Sequence, residues 1–203
     1  MSKKDALGSE GMSASQKEKS EVGEPLKVVS VDEIWPQERD FMARPERYRY
    51  VRKLVKPKGC VFCSALKEKP DPENLVLFKG KTASVILNKY PYNSGHLLVV
   101  PNQHCGDMDQ LSSEAFLTVS HLLHEVLKVV KKAYHCEGIN VGLNLGAVAG
   151  AGIPDHLHWH VIPRWFGDTN FFPIIAETKA LPETNDQAYA RYEEFFKELS
   201  GEF

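Results

Sequence analysis

"DHLHWHVIPRW", residues 155–165, places His156, His158 and His160 at strict alternation. In an extended strand residues i, i+2 and i+4 share one face. The pattern therefore predicts a strand over 156–164, with three imidazoles on one surface and Leu157, Trp159 and Val161 turned into the core. One histidine here would read as a residue tolerated on a solvated face. Three of the chain's eight histidines, interleaved with Leu, Trp and Val, do not fit that reading. A metal-scavenging tract would be polar and terminal. Two chemistries stay open: zinc binding by neutral imidazoles, and nucleophilic catalysis in which one imidazole attacks while its neighbours handle protons and charge.

Immediately upstream, "GLNLGAVAGAGIPD" (142–155) is rich in glycine and alanine. Backbone N–H groups can approach a phosphate closely where no Cβ intervenes. Alone, such a stretch is a flexible connection; beside three aligned histidines it gains meaning. Further out, "NLVLFKG" (74–80) and "TASVILN" (82–88) are β-rich runs that form a hairpin around Gly80–Lys81, and "GHLLVVP" (95–101) is a third strand ended by proline. "GINVGLNLG" (138–146) is another. "SSEAFLTVSHLLHEVLKVVKKAYH" (112–135) is one long helix with Ser112 as N-cap and an apolar stripe of Phe116, Val119, Leu122, Leu123, Val126 and Val130. Residues 185–203 close the chain as a C-terminal helix. "KPKGCVFC" (56–63) reads as a turn, and 31–53 as a short helix or two broken by Pro36 and Pro45. Hairpins, one long helix and no regular βαβ alternation indicate an α+β domain with an antiparallel sheet of about five strands.

The chain has 203 residues, with 25 Lys plus Arg against 27 Asp plus Glu and a formal net charge of −2. That balance gives no general pull toward nucleic acid or an anionic membrane. No apolar run approaches the roughly 20 residues that span a bilayer. Residues 1–24, poor in anything to bury, read as a disordered tail ahead of a single domain over 25–203. The charged N-terminus lacks a signal-peptide core, so cytoplasmic residence is the expectation. Cys60, Cys63, Cys105 and Cys136 are then reduced thiols or metal ligands.

"HLHWHVIPR" matches the HφHφHφφ signature of the histidine-triad (HIT) nucleotide hydrolases and transferases, where φ is apolar. The resemblance extends to "LNKYPYNSGHLLVVPNQH" (87–104), where Asn88 precedes a Gly-His by the family's spacing, and to "GLNLG". It is strongest for the diadenosine tetraphosphate phosphorylase branch, through "GINVGLNLG", "AGAGI" and "HLHWHVIPRWFGDTNF". It implies the HIT fold and a homodimer with a shared sheet. His158 would be the nucleophile, forming a covalent nucleotidyl-histidine. His160 would hydrogen-bond the transferring phosphate and leaving oxygen, and His96 would support the triad. Asn88 would meet the ribose; Asn144, Gly146 and loop amides near Ala151 and Gly152 would meet phosphate. Arg164, just past the triad, is either an anion contact or a surface charge. Many members carry a glutamine before the triad where this chain has "AGAGI".

The same resemblance links a CxxC near the start of the domain with a later histidine and the first histidine of the triad. Cys60, Cys63, His104 and His156 form such a set, suited to tetrahedral structural zinc; no organic cofactor is expected. The implied substrates are purine nucleotides, diadenosine tetraphosphate first, with inorganic phosphate as acceptor. The rivals are a hydrolase of nucleoside phosphoramidates or adenylylated compounds, and a non-catalytic nucleotide-binding regulatory module.

Overall fold

Strands β1 (Val76–Lys79), β2 (Ala83–Leu87), β3 (Leu97–Pro101), β4 (Gly138–Leu143) and β5 (Trp159–Arg164) form one sheet in the order β1-β2-β3-β5-β4. Every neighbouring pair is antiparallel. Helices α1 (Val61–Ala65), α2 (Ser113–Tyr134) and α3 (Asn185–Lys197) complete the α+β architecture. The computed structural model describes residues 59–170, 179–199 and 201–203; the expected tail and the 31–53 lead-in lie outside them. Among the described residues, no helix is long and apolar enough to cross a membrane.

The helix starts follow local chemistry. Ser112 accepts the Ala115 N–H with its side chain, as an N-cap should. Thr184 and Gln187 form a reciprocal capping box at the start of α3. Burial on α2 begins at Val119, one turn after Phe116, which stays 39% exposed. The CxxC is not a simple turn: Cys60 is the N-cap of α1, and Cys63 lies inside it.

The sheet separates two apolar clusters. On one face Leu87, Leu97, Val99 and Val161 pack with Val119, Leu122, Val126 and Val130 of α2 and with Tyr192 and Phe196 of α3. Each such fully buried aliphatic side chain contributes about 1.5–3 kcal/mol. On the other face Val76, Ile86, Leu98 and Val100 pack with Phe62 and Leu66 on or beside α1. His160 stands opposite Leu98, and directly paired residues share a face. The triad side of β5 is therefore the side that α1 covers.

All five strands are shorter than expected, and at β5 and β4 the difference bears on the site. The ladder of β5 begins at Trp159, because His156 N–H goes to the Ile153 carbonyl and Leu157 N–H to that of Cys105. Strand β4 ends at Leu143, and the chain turns at Gly146 with φ +79.

Candidate active site

His96 stands just before β3, directly after Gly95, whose φ is +68. A Cβ on Gly95 would lie 2.5 Å from Cζ of Tyr134 and 2.9 Å from Oη of Tyr192, so both backbone and space demand glycine. Tyr192 Oη donates to the Gly95 carbonyl at 2.7 Å. With the turn fixed, His96 Nδ1 accepts the Tyr92 N–H at 3.1 Å and faces the Asn88 amide nitrogen at 3.2 Å. Asn88 is oriented by its oxygen, which takes the Tyr90 N–H at 2.9 Å.

These partners assign the tautomers. In a neutral imidazole one nitrogen accepts and the other carries the proton. His96 therefore donates from Nε2 to His160 Nδ1, at 2.9 Å. His160 in turn holds its proton on Nε2, a buried atom with no hydrogen-bond partner among the described residues. His158 Nδ1 lies 2.8 Å from the His156 carbonyl, which can only accept, so the lone pair of His158 is on Nε2. The rings of His158 and His160 are 5.0 Å apart. The site thus sets a free imidazole lone pair beside an N–H donor that has no partner among the described residues.

The triad is far less exposed than a strand surface: His156, His158 and His160 are 0%, 5% and 8% accessible. Burial pushes the His158 imidazolium below its ordinary range. For His160, burial first and the neighbouring His158 second lower it to about 4. Both rings are neutral at pH 7. Two aromatic residues that the sequence reading missed flank them. Phe62 lies 5.4 Å from His156 and 5.3 Å from His158 by ring centroids. Tyr92 stacks on His160 at 5.6 Å. Both lie inside motifs already singled out, between the cysteines of "CVFC" and in "YPYN", yet only the tertiary structure aims them at the histidines.

His156 faces away from this chemistry. Its Nε2 donates to the Pro101 carbonyl at 2.9 Å, which leaves the Nδ1 lone pair turned to Cys60 Sγ at 3.3 Å, Cys63 Sγ at 3.5 Å and His104 Nδ1 at 3.3 Å. The four ligand atoms all lie within 4.8 Å of one another. A tetrahedral ion with zinc-like bond lengths needs ligand separations of about 3.3–3.8 Å. Two imidazole nitrogens and two sulfurs this close repel unless a cation or proton lies between them. Burial, then the adjacent Cys60, pushes the Cys63 thiol up, so the protein alone does not favour the thiolate; a dication reverses that balance. The set fits a metal.

A family model described as the HIT domain matches residues 69–167. AP-4-A phosphorylase of Mycobacterium tuberculosis is 42% identical over 113 residues, which are 56% of this chain and 58% of that protein. Adenosine 5'-monophosphoramidase of Schizosaccharomyces pombe is 33% identical over 106 residues, 52% of this chain and 74% of the relative. The chain belongs to the HIT family. A Zn-bound histidine triad family protein from Mycobacterium smegmatis has the same fold, with a TM-score of 0.56 and 21% identity over 68% of this chain and 94% of its own. The match spans a little over half the length of the mycobacterial phosphorylase.

Two of the candidate contact positions, Arg164 and Ala151, are engaged within the chain. Arg164 is engaged rather than open: Asp168 accepts from its Nε and NH2 groups at 2.6 and 2.8 Å, and Asn140 accepts from NH1 at 2.6 Å. Arg164 holds the Asp168 carboxyl well below the usual carboxylate range. Asp168 also accepts from Asn93, which ties the loop before His96 to the end of β5. Ala151, expected to offer its amide to phosphate, gives that N–H to the Gly146 carbonyl at 3.3 Å. Asn144 and Gly152 lie in the same loop, outside the ladder of β4. Cys105 and Cys136 stay outside the metal set.

Proposed function

We propose that this HIT protein is an enzyme that cleaves diadenosine polyphosphates at the α-phosphate, with diadenosine tetraphosphate as first substrate and inorganic phosphate as acceptor. The observation that carries the reading is the tautomer chain, which leaves a lone pair on His158 Nε2 next to an unpartnered N–H on His160. His158 Nε2 attacks the α-phosphorus, the bond to the leaving nucleotide's oxygen breaks, and His160 donates a hydrogen bond to the phosphoryl group. A phosphate oxygen then attacks the same phosphorus, breaks its bond to nitrogen and returns the lone pair to His158. The neutral ring needs no base to attack. The 42% identity to a protein named AP-4-A phosphorylase supports the choice of substrate and acceptor. The relative named adenosine 5'-monophosphoramidase favours a second reading, in which water takes the nucleotidyl group from a phosphoramidate.

Cys60, Cys63, His104 and His156 would hold a structural zinc, which fixes the segment before β5 and supplies no reacting group. A homodimer fits the exposed edge strand β4, where Val141 and nearby Leu145 are open to solvent. Asn88, Asn144, Gly146 and Gly152 remain the candidate nucleotide contacts.

With diadenosine tetraphosphate, phosphate accelerates cleavage, ADP and ATP form in equal amounts, and labelled phosphate enters the ADP. Rapid acid-free quenching traps labelled nucleotide on wild-type protein and none on His158→Ala. AMP plus ATP at a phosphate-independent rate would remove the phosphorylase assignment; wild-type turnover by His158→Ala would remove the nucleophile.

A further inference from the structure

Among the described residues the His158 ring has one hydrogen bond, from Nδ1 to the His156 carbonyl. One bond does not fix an imidazole, because the torsion that turns a ring about its bond to Cβ is broad. The remaining restraint is packing: His160 meets the ring edge-on at 5.0 Å, and Phe62 meets it at 5.3 Å with the planes 51° apart. Phe62 is buried and stands between Cys60 and Cys63. It also meets His156 edge-on, at 5.4 Å. Two of these restraints, the His156 carbonyl and the Phe62 ring, thus come from residues that are, or lie between, members of the Cys₂His₂ set. Helix α1 has five residues and no side-chain hydrogen bond at its N-cap, so its seat depends on Phe62, Leu66 and the two cysteines.

We infer that Phe62 is a positioning residue that transmits closure of the Cys60/Cys63/His104/His156 cluster to the His158 ring. The inference rests on the reading of His158 as nucleophile. Loading the cluster seats α1, α1 presses Phe62 against His158, and Nε2 is held on the line of attack. Misplacing a reacting atom by about 1 Å costs on the order of a hundredfold in rate. Loss of the Phe62 ring therefore lowers kcat and leaves nucleotide affinity and metal content in place.

The test uses the full chain as purified, with Phe62→Ala and Phe62→Leu, which restores most of the apolar bulk. Metal per chain, kcat and KM on diadenosine tetraphosphate, and the Nδ1–H proton resonance of 15N-labelled His158 are measured for each. Phe62→Ala is expected to keep its metal, to lose about thirtyfold or more in kcat with KM within about threefold, and to broaden or lose the His158 Nδ1–H signal. Phe62→Leu recovers both kcat and the signal. A kcat for Phe62→Ala within about threefold of wild type, or metal loss in proportion to activity, would overturn the inference. If Phe62→Ala does not fold, wild-type protein stripped by a chelator decides: an unchanged His158 Nδ1–H signal overturns the coupling, and a broadened one supports it. If wild type itself does not cleave the dinucleotide, the substrate reading fails, and the resonance still decides the role of Phe62.

Discussion

Gly95→Ala puts a methyl group at the junction between the helical layer and the triad. At φ +68, a residue with a Cβ costs about 1–2 kcal/mol relative to glycine. The methyl would lie 2.5 and 2.6 Å from ring atoms of Tyr134 and 2.9 Å from Tyr192 Oη. Neither ring can swing clear: Tyr134 donates to Glu183, and Tyr192 is fully buried and donates to the Gly95 carbonyl. Overpacking of this kind costs about 1–3 kcal/mol. The two terms sum to about 2–5 kcal/mol, which for a chain of this size lowers Tm by roughly 5–20 °C. The strain also reaches chemistry, because His96 is the next residue and its 2.9 Å bond sets the His160 tautomer. A fall in kcat of on the order of a hundredfold follows. Calorimetry and steady-state kinetics on the same preparation read both effects. A Tm within about 2 °C of wild type together with unchanged kcat would refute the claim that this turn is sterically closed and holds the triad.

Purified protein should carry about one zinc per chain, and Cys60→Ser should lower both metal content and Tm; elemental analysis finding no metal in chelator-free preparations would defeat the assignment. Replacing His160 with alanine removes the N–H that in the proposed reaction would donate to the phosphoryl group and should cut kcat by about 10²–10³-fold, with KM changed far less; parallel losses in binding alone would argue against that role. Because folding lowers the His158 and His160 ionisations, both rings stay neutral below their ordinary range, and the acid limb of kcat/KM should lie under pH 6.5. The same shift has a stability counterpart. The unfolded chain takes up protons first, so this contribution is complete above the ordinary imidazole range and is lost as pH falls from about 6.5 toward 4. Chemical denaturation that showed rising stability across that interval would contradict it.

The parts of the fold set by local chemistry could be read directly from the sequence. Ser112 caps α2 where the capping pattern predicts it, and Gly80 N–H bonds Ala83 within the expected hairpin. The start of β5 was hidden because His156 and Leu157 bond to Ile153 and Cys105, partners that no periodicity reveals. Alternation put the three histidines on one face, but it could not show that α1 covers that face. The Cys₂His₂ set was legible only through the family resemblance, since its members span 96 positions. Arg164 was ambiguous for a similar reason: its partners Asp168 and Asn140 face it only after β5 ends in a turn and β4 pairs alongside. Phe62 and Tyr92 lie inside quoted motifs, but aromatic residues there are common and their direction toward the histidines is a tertiary fact.

The spacing of the cluster also sets an order of events during synthesis. Cys60 and His156 are 96 residues apart, and His104 falls between them. At about 5–20 residues per second, the two thiols leave the ribosome roughly 5–20 s before the last ligand. In that interval they form an incomplete site on a helix too short to stand alone. Four of the five strands are already synthesised by then, but β5, which joins β3 to β4, still has to follow His156. The cluster therefore closes only late in biogenesis, after most of the sheet that carries it has been made.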